Sequence, residues 1–131
     1  MNNGSPSVMY RRMLLVLRAH LRDEMNLLVD VAQDLALGST QMQSPGVCRT
    51  CRATWRTLLA GILGAFVNEL ILRKEQTIHQ IDMALERLDD GTYGLCWECD
   101  AQIPDAWLMA VPYAERCARC ESQRVMHRRI A

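Results

Sequence analysis

The sequence predicts a mainly α-helical fold: a long antiparallel helical hairpin of the coiled-coil type, followed by a small module with four cysteines and by a short C-terminal helix. Three observations support this fold class. Half of the 131 residues are apolar, but the only aromatic residues are three Trp, three Tyr and one Phe, which favours helices over a β-sandwich. Two long stretches carry apolar residues at helical spacing. Two Cys-x-x-Cys pairs lie near the C-terminus.

The charge and hydropathy of the chain exclude several classes of protein. Lys+Arg and Asp+Glu both number 15, so no overall basic field attracts nucleic acid, and direct sequence-specific DNA binding is not expected. The most apolar run, Leu58 to Val67, is ten residues long, whereas a membrane-spanning helix needs about 20. We therefore expect a soluble cytoplasmic protein with no membrane segment, in which the cysteines stay reduced.

The hairpin is expected over residues 10–90. Residues 1–9, which begin with a stretch rich in Asn, Gly, Ser and Pro, are expected to be disordered. The first helix has an apolar seam in steps of four and three, interrupted by Glu24 and ended by Gly38. The seam consists of Tyr10, Leu14, Leu17, Leu21, Leu28, Val31 and Leu35.

A connection and a second helix complete the hairpin. Residues 38–52 show no periodicity and contain Pro45 and Gly46, which favours a loop. The second helix is predicted over 53–89, and Gly91 suits the left-handed turn after it. Two connected helices with one apolar stripe each should fold back antiparallel. The second stripe consists of Val67, Ile71, Ile78, Ile81, Leu85 and Leu88.

One segment has an unusual composition. No Asp or Glu occurs from Leu35 to Asn68, and Leu58 to Val67 is apolar on every side, which is wider than the seam of two helices requires. This breadth predicts a helix that is covered in a homo-oligomer or by another partner. Divergence of residues 35–68, or two compensating frame shifts in the coding sequence, would each produce the change of composition.

The strongest chemical signal is the pattern C-x2-C-x17-C-x2-C, formed by Cys96, Cys99, Cys117 and Cys120. Each pair can hold a metal ion from one tight turn, and four thiolates give a closed tetrahedral zinc site with no position for substrate. The pattern predicts one structural Zn²⁺, with iron in the same shell or a redox disulfide as alternatives. Residues 91–131 are expected to form this zinc module and the C-terminal helix.

Other metal-ligating residue types lack a site pattern. Cys48 and Cys51 form a third pair in the predicted loop, which could bind a metal across a dimer or act as a dithiol switch, although unengaged thiols are the favoured interpretation. His20, His79 and His127 have no ligand spacing to one another. No Ser/His/Asp set or phosphate-binding glycine loop is present, so no enzymatic activity is expected.

Two pairs of charged residues are candidates for partner binding. Asp30 and Asp34 lie four residues apart on the first helix and could act as paired carboxylates. Arg124 and Arg128 lie four apart in the C-terminal helix and could contact phosphate or an acidic protein surface. A solvated helical face is the alternative for both pairs.

The segment IDMALERLDDGTYGLCWECDAQIPDAWLMAVPYAERC resembles the DksA/TraR C4-type zinc-finger family of bacterial transcription regulators. The shared features are the four cysteines at the family spacing, the Gly91-x-Tyr93-Gly94 turn and Ile103-Pro104. RRMLLVLRAHLRDEM is similar to the first coiled-coil helix of that family. The resemblance covers roughly 10–34 and 69–125.

The resemblance implies a fold and a mode of action. In this family a globular zinc region carries a coiled coil that enters the secondary channel of RNA polymerase, where acidic residues at the tip act near the active site. DNA is not bound directly, and many members work with ppGpp. The resemblance therefore implies a non-enzymatic transcription regulator with a structural zinc ion. The alternative is a zinc-stabilised helical hairpin that serves as a protein-interaction module without polymerase regulatory activity.

The chain departs from the family pattern at several positions. The predicted tip, within 38–58, has no acidic residue and carries arginines instead. Val111 and Glu121 stand where family members place basic residues for ppGpp, and Asp100 replaces the usual Gly after the second cysteine. Asp can adopt the left-handed turn that this position needs. The zinc fold is therefore expected, and a family-like effect on transcription is not.

Overall fold

The computed structural model describes residues 6–38 and 49–130, and side chains within 6–36 and 57–127. The described chain forms four helices, α1 (Pro6–Gly38), α2 (Arg49–Asp89), α3 (Asp105–Ala110) and α4 (Ala118–Ile130). Within these residues there is no strand, and one isolated antiparallel bridge joins Leu95 to Gln102. The predicted mainly helical fold class is confirmed.

Helix α1 begins earlier than the sequence suggested. Pro6 to Met9 are helical, whereas residues 1–9 were expected to be disordered. Proline is well tolerated in a first helical turn, because its missing N–H has no acceptor there. The next residue, Tyr10, is buried against the cysteine module. This tertiary contact stabilises a helix start that local sequence alone does not indicate.

Helix α2 also begins earlier than predicted, at Arg49 instead of residue 53. The predicted loop therefore loses its last four residues, 49–52, which contain neither Gly nor Pro to prevent a helical start. Gly38 is the last residue of α1, and residues 39–48 of the predicted loop lie outside the described residues. The predicted end is confirmed, since α2 stops at Asp89 and Gly91 has a φ of 74°.

The chain forms two compact units that divide both long helices. The first unit combines the chain up to Ala19 with the chain from Thr77 onward, and the second runs from His20 to Gln76. The predicted domain boundary between residues 90 and 91 lies inside the first unit. The reason is that the cysteine module packs on Tyr10 and Leu88, which are helical residues outside it.

In the first unit α1 and α2 run antiparallel. Arg18 pairs with Asp82 at 2.7 Å, and Arg11, seven residues earlier on α1, pairs with Asp89, seven residues later on α2. The predicted seam positions Leu14, Ile78 and Ile81 are buried in this unit, together with Ala84. A small residue allows close approach of helices but gives a weak apolar signal, which is why the stripe predicted from sequence omits Ala84.

In the second unit Glu24, the polar interruption of the α1 seam, pairs with Lys74 of α2. The hydrogen bond from Lys74 lowers the pKa of Glu24. The seam residue Val31 was expected to be buried but is 47% exposed, and Ala32 is the partly buried neighbour. A straight helix drifts about 20° per heptad relative to a 3.5-residue repeat. Three heptads after Tyr10 the stripe has therefore moved toward the later residue.

The apolar segment of α2 in the second unit is largely uncovered within the described chain. Leu58, Ile62 and Phe66 are each more than 60% exposed. The expected cover by a second copy or by another partner therefore stays a prediction. No helix in the described residues is long and apolar enough to cross a membrane.

Candidate metal centre

The first cysteine pair lies in a turn that begins where α2 ends. The N–H groups of Thr92 and Tyr93 both donate to the Arg87 carbonyl, at 2.9 and 3.0 Å, which reverses the chain. Gly94 follows with a φ of 88°. A methyl group at Gly94 would lie 3.7 Å from Leu108 Cδ1, an ordinary contact, so the backbone angle and not lack of space requires glycine here.

Backbone hydrogen bonds then shape the loop around Cys96. The Ile103 N–H donates to the Gly94 carbonyl at 2.7 Å, and the Cys96 N–H donates to the Ala101 carbonyl at 2.9 Å. Asp100 closes the turn by donating its N–H to the Cys96 carbonyl at 2.9 Å, and its φ is 53°. This confirms that Asp adopts the left-handed turn here.

The second pair lies at the start of α4. Cys117 immediately precedes the helix and Cys120 is in its first turn, where the Glu121 N–H donates to the Cys117 carbonyl at 3.0 Å. Two contacts join the pairs. The Trp97 N–H donates to the Glu115 carbonyl at 2.9 Å, and Arg116 Nε lies 3.0 Å from Glu98 Oε1.

The four sulfurs converge on one point. The Sγ atoms of Cys96, Cys99, Cys117 and Cys120 all lie within 4.8 Å of one another, and those of Cys99 and Cys117 are 3.9 Å apart. A tetrahedral zinc ion with Zn–S bonds of about 2.3 Å requires sulfurs about 3.8 Å apart. The arrangement therefore fits a C4 zinc site for one ion.

The protonation of the cysteines also fits a cation at the centre. Burial raises the pKa of Cys96, but backbone hydrogen bonds from Cys117, Cys99 and Glu98 outweigh it and lower the pKa to about 6. The pKa of Cys120 is raised, first by its contact with the Cys117 side chain and then by burial. Four adjacent thiols cannot all ionise without a positive charge, and binding of a metal ion releases their protons.

An apolar and aromatic cluster supports the metal centre. Cys96 and Cys120 are buried together with Ile103, Leu108 and Ala114. Two of the four sulfurs are therefore held inside packed side chains, while Cys99 is exposed. Packing and metal coordination support the same small module, as expected where burial alone is insufficient for stability.

Two tyrosines attach this module to α1. The rings of Tyr10 and Tyr93 have centroids 5.3 Å apart and are tilted by 45°. The Tyr93 hydroxyl donates to the Pro112 carbonyl at 2.6 Å, and burial is the main cause that raises the pKa of Tyr93 to about 12. The Tyr10 hydroxyl donates to Asp105 Oδ1 at 3.4 Å. The sequence pattern assigned Tyr10 to the helix seam and did not reveal these contacts.

The candidate partner-binding residues lie on exposed surfaces. Asp30 and Asp34 are exposed on α1 in the second unit, and Arg124 is exposed on α4 in the first unit. Arg128 lies in α4, but its side chain is outside the described part of the chain. Their partner-binding role remains a prediction.

The third cysteine pair falls largely outside the described structure. Cys48 is not described, and for Cys51 only the helical backbone is described. Among the side chains that the structure describes, the C4 cluster is the single group of three or more His, Cys, Asp or Glu residues suited to a metal ion. His20 is exposed and lies 3.3 Å from Glu24 in an i,i+4 pair.

Fold and site together define a helical protein built around a C4 zinc finger. Residues 91–124 match the family model described as the prokaryotic dksA/traR C4-type zinc finger. The resemblance indicated by the sequence is confirmed, and this segment is a zinc finger of that type with four cysteines placed for one zinc ion.

Two curated proteins are similar to part of this chain. An uncharacterized protein of Aquifex aeolicus (strain VF5) is 43% identical over 47 residues, which are 36% of this chain and 32% of the relative. General stress protein 16O of Bacillus subtilis (strain 168) is 34% identical over 47 residues, which are 36% of this chain and 29% of the relative. The chain thus spans about a third of the length of the curated relatives it matches.

The structure of transcription factor DksA2 from Pseudomonas aeruginosa shares the fold. Its TM-score is 0.76, and the alignment covers 97% of this chain and 88% of that chain at 21% identity. At this identity the likeness shows the fold alone, and it supports the predicted fold class independently of the zinc-finger match.

Proposed function

We propose that this chain is a DksA/TraR-like, non-enzymatic transcription regulator that binds bacterial RNA polymerase through its secondary channel. The observation that carries the proposal is the seating of a dksA/traR-type zinc finger on Tyr10 of α1 and Leu88 of α2. This contact joins the finger to the same two helices that the family resemblance expects to enter the channel. A regulator of this kind would act in the cytoplasm.

Both helices of the proposed coiled coil are long. Helix α1 has 33 residues and α2 has 41, so their contour lengths are about 50 and 60 Å at 1.5 Å per residue. The zinc site is closed by four cysteines and leaves no position for substrate. Its role in this proposal is structural: it fixes the turns that hold the finger against α1 and α2.

Asp30 and Asp34 are the described carboxylates that we propose to contact the polymerase active site or its basic groups. Both are exposed and lie on the last third of α1. Carboxylates can coordinate Mg²⁺ or pair with cations of a partner. On α4, we propose that Arg124 and Arg128 contact an acidic polymerase surface.

A second candidate function is a protein-interaction module without polymerase regulatory activity. The exposure of Leu58, Ile62 and Phe66 favours it, because exposed contiguous apolar surface commonly marks an interface. In this interpretation Leu58 to Val67 mediates association with another chain or with a second copy. The two functions differ in whether RNA polymerase is retained and regulated.

Retention of purified RNA polymerase core by the immobilised, zinc-loaded chain tests the proposal. We expect measurable but weak binding, and no family-like effect in transcription from a promoter sensitive to this family, because the predicted tip carries arginines and no acidic residue. The Asp30→Asn/Asp34→Asn variant should weaken retention further. Glu75→Gln, which changes an exposed carboxylate of the same unit, is the matched control.

Two results would distinguish the alternatives. No retention of polymerase by the folded, zinc-loaded chain would refute the polymerase proposal and leave the interaction module. Full family-like regulation would instead show that the acidic function is supplied from elsewhere in the chain. Loss of that activity in the Asp30→Asn/Asp34→Asn variant would then assign it to these carboxylates.

A further inference from the structure

A cavity of about 230 Å³ lies in the first unit, between the start of α1 and the zinc finger. Its walls come from the beginning of α1, the end of α2, the finger loop and α3. None of the four zinc-site cysteines lines it. The cavity is therefore separate from the metal centre and from the candidate partner-binding residues, and several elements of the chain build it.

The cavity has an acidic character. Asp105 carries the only formal charge among the described residues that line it. The hydrogen bond from Tyr10 to this carboxylate is long, at 3.4 Å. A carboxylate has about four acceptor positions, so one such bond leaves it able to accept others. A cleft with one negative charge and no basic side chain is electrostatically complementary to a cation.

The remaining walls suit an organic cation better than a hydrated metal ion. Tyr10 and Tyr93 both line the cavity, and aromatic faces attract cations within about 6 Å of the ring centroid. Leu88, Ile103 and Leu108 provide apolar surface against which a methylene chain can pack. The volume is below the roughly 300–1,000 Å³ of typical small-molecule sites. It suits a group the size of one side chain and is too small for a nucleotide.

We propose that this cavity binds an ammonium or guanidinium group carried on a short aliphatic stem. The cation would pair with Asp105 and lie against the tyrosine rings, while the stem would contact the leucine and isoleucine walls. The source is a free amine or a Lys or Arg side chain of a partner. Because the walls come from both α1 and the finger, the bound group would strengthen their attachment. The proposal does not depend on RNA polymerase binding.

The test uses the full zinc-loaded chain with butylammonium and with butyrate, an anion that has an apolar stem of similar length. Binding is followed by the backbone amide shifts of Gly91 and Gly94, which both line the cavity. We expect saturable shifts with butylammonium and none with butyrate. Absence of saturable shifts with butylammonium, or equal shifts with butyrate, would overturn the proposal without any need for a variant.

The Asp105→Asn variant tests the role of the carboxylate. Its amide oxygen can still accept from Tyr10, so the attachment of α1 is retained while the charge is removed. We expect butylammonium affinity to fall about fivefold or more, as is typical for loss of a partly exposed ion pair beside an aromatic ring. Asp90→Asn removes a charge from an exposed residue that does not line the cavity and should leave affinity unchanged. Equal affinity of Asp105→Asn and the unmodified chain would contradict the assignment.

Capped peptides distinguish the two sources of the cation. A peptide with one central lysine is compared with its norleucine counterpart, which keeps the stem and lacks the charge. Tighter binding of the lysine peptide than of butylammonium assigns the cavity to a partner side chain. If butylammonium binds more tightly than the lysine peptide, the cavity is assigned to a free amine. Equal binding of the lysine and norleucine peptides at the Gly91 and Gly94 amides would refute recognition of a cation.

Discussion

Replacement of Leu14 by Ala is the sharpest test of the helix packing in the first unit. The Leu14 side chain is fully buried, whereas the adjacent Leu15 is 41% exposed. Truncation of a buried leucine costs about 2–5 kcal/mol, because both the transfer free energy and the packing around the side chain are lost. The same change at Leu15 removes side-chain atoms that are already partly hydrated and should cost about 1 kcal/mol or less.

The measurement is urea unfolding followed by circular dichroism at 222 nm, with zinc at the same saturating concentration for each variant. Thermal unfolding gives a second measurement, in which a loss of about 3 kcal/mol corresponds to a fall in Tm of roughly 10 °C for a chain of this size. Leu28→Ala, in the second unit, should fall between the other two because Leu28 is only half-buried. If Leu15→Ala destabilised the chain as much as Leu14→Ala, the helix face assigned to the core would be wrong.

Three further predictions concern the metal, an ion pair and two glycines. Metal analysis should give one zinc per chain. The Cys96→Ser/Cys99→Ser variant should lose this zinc, whereas serine replacement of Cys48 and Cys51 should not. Zinc retained by the Cys96→Ser/Cys99→Ser variant would show that other residues bind it. Glu24→Gln should lower the free energy of unfolding at pH 7. Because the pKa of Glu24 is lowered in the fold, this difference should vanish as pH falls through that pKa; a difference that persisted in acid would contradict the ion pair. Gly94→Ala should destabilise the finger by about 1–2 kcal/mol because its φ is 88°. Gly61→Ala, where an added methyl meets nothing within 4 Å, should stabilise the exposed helix by up to about 1 kcal/mol. Thermal unfolding should therefore give a lower Tm for Gly94→Ala and a higher Tm for Gly61→Ala.

The helices and the metal site could be predicted because their signals are local. A stripe of apolar residues at helical spacing depends only on neighbours in the chain, and it correctly identified Leu14, Ile78 and Ile81 as core. The error at Val31 has the same origin. A fixed heptad register was extended over three repeats, while a straight helix follows a period of 3.6 residues.

The early start of α1 could not be predicted in this way. The buried Tyr10 stabilises it, and its hydroxyl donates to Asp105 across 95 positions of sequence. No periodicity links these residues, and an apolar seam position is the natural assignment for a tyrosine at the start of a helix. The cavity has the same cause, because its walls come from elements that meet only after the finger packs onto α1 and α2.

The zinc site and the proposed polymerase contact depend on different parts of the chain. A C4 site is specified by chemistry inside the chain: the four sulfurs must meet at about 3.8 Å, and the observed 3.9 Å between Cys99 and Cys117 meets this condition without reference to a partner. The proposed recognition of a polymerase would depend instead on charges such as Asp30, Asp34 and Arg124, which are exposed and not part of the packed core. Two chains can therefore share the finger and the helical pair and still differ in what they regulate. For this reason retention of RNA polymerase core, and not further tests of zinc binding, decides between a transcription regulator and an interaction module, and the carboxylate variants then test which charges are used.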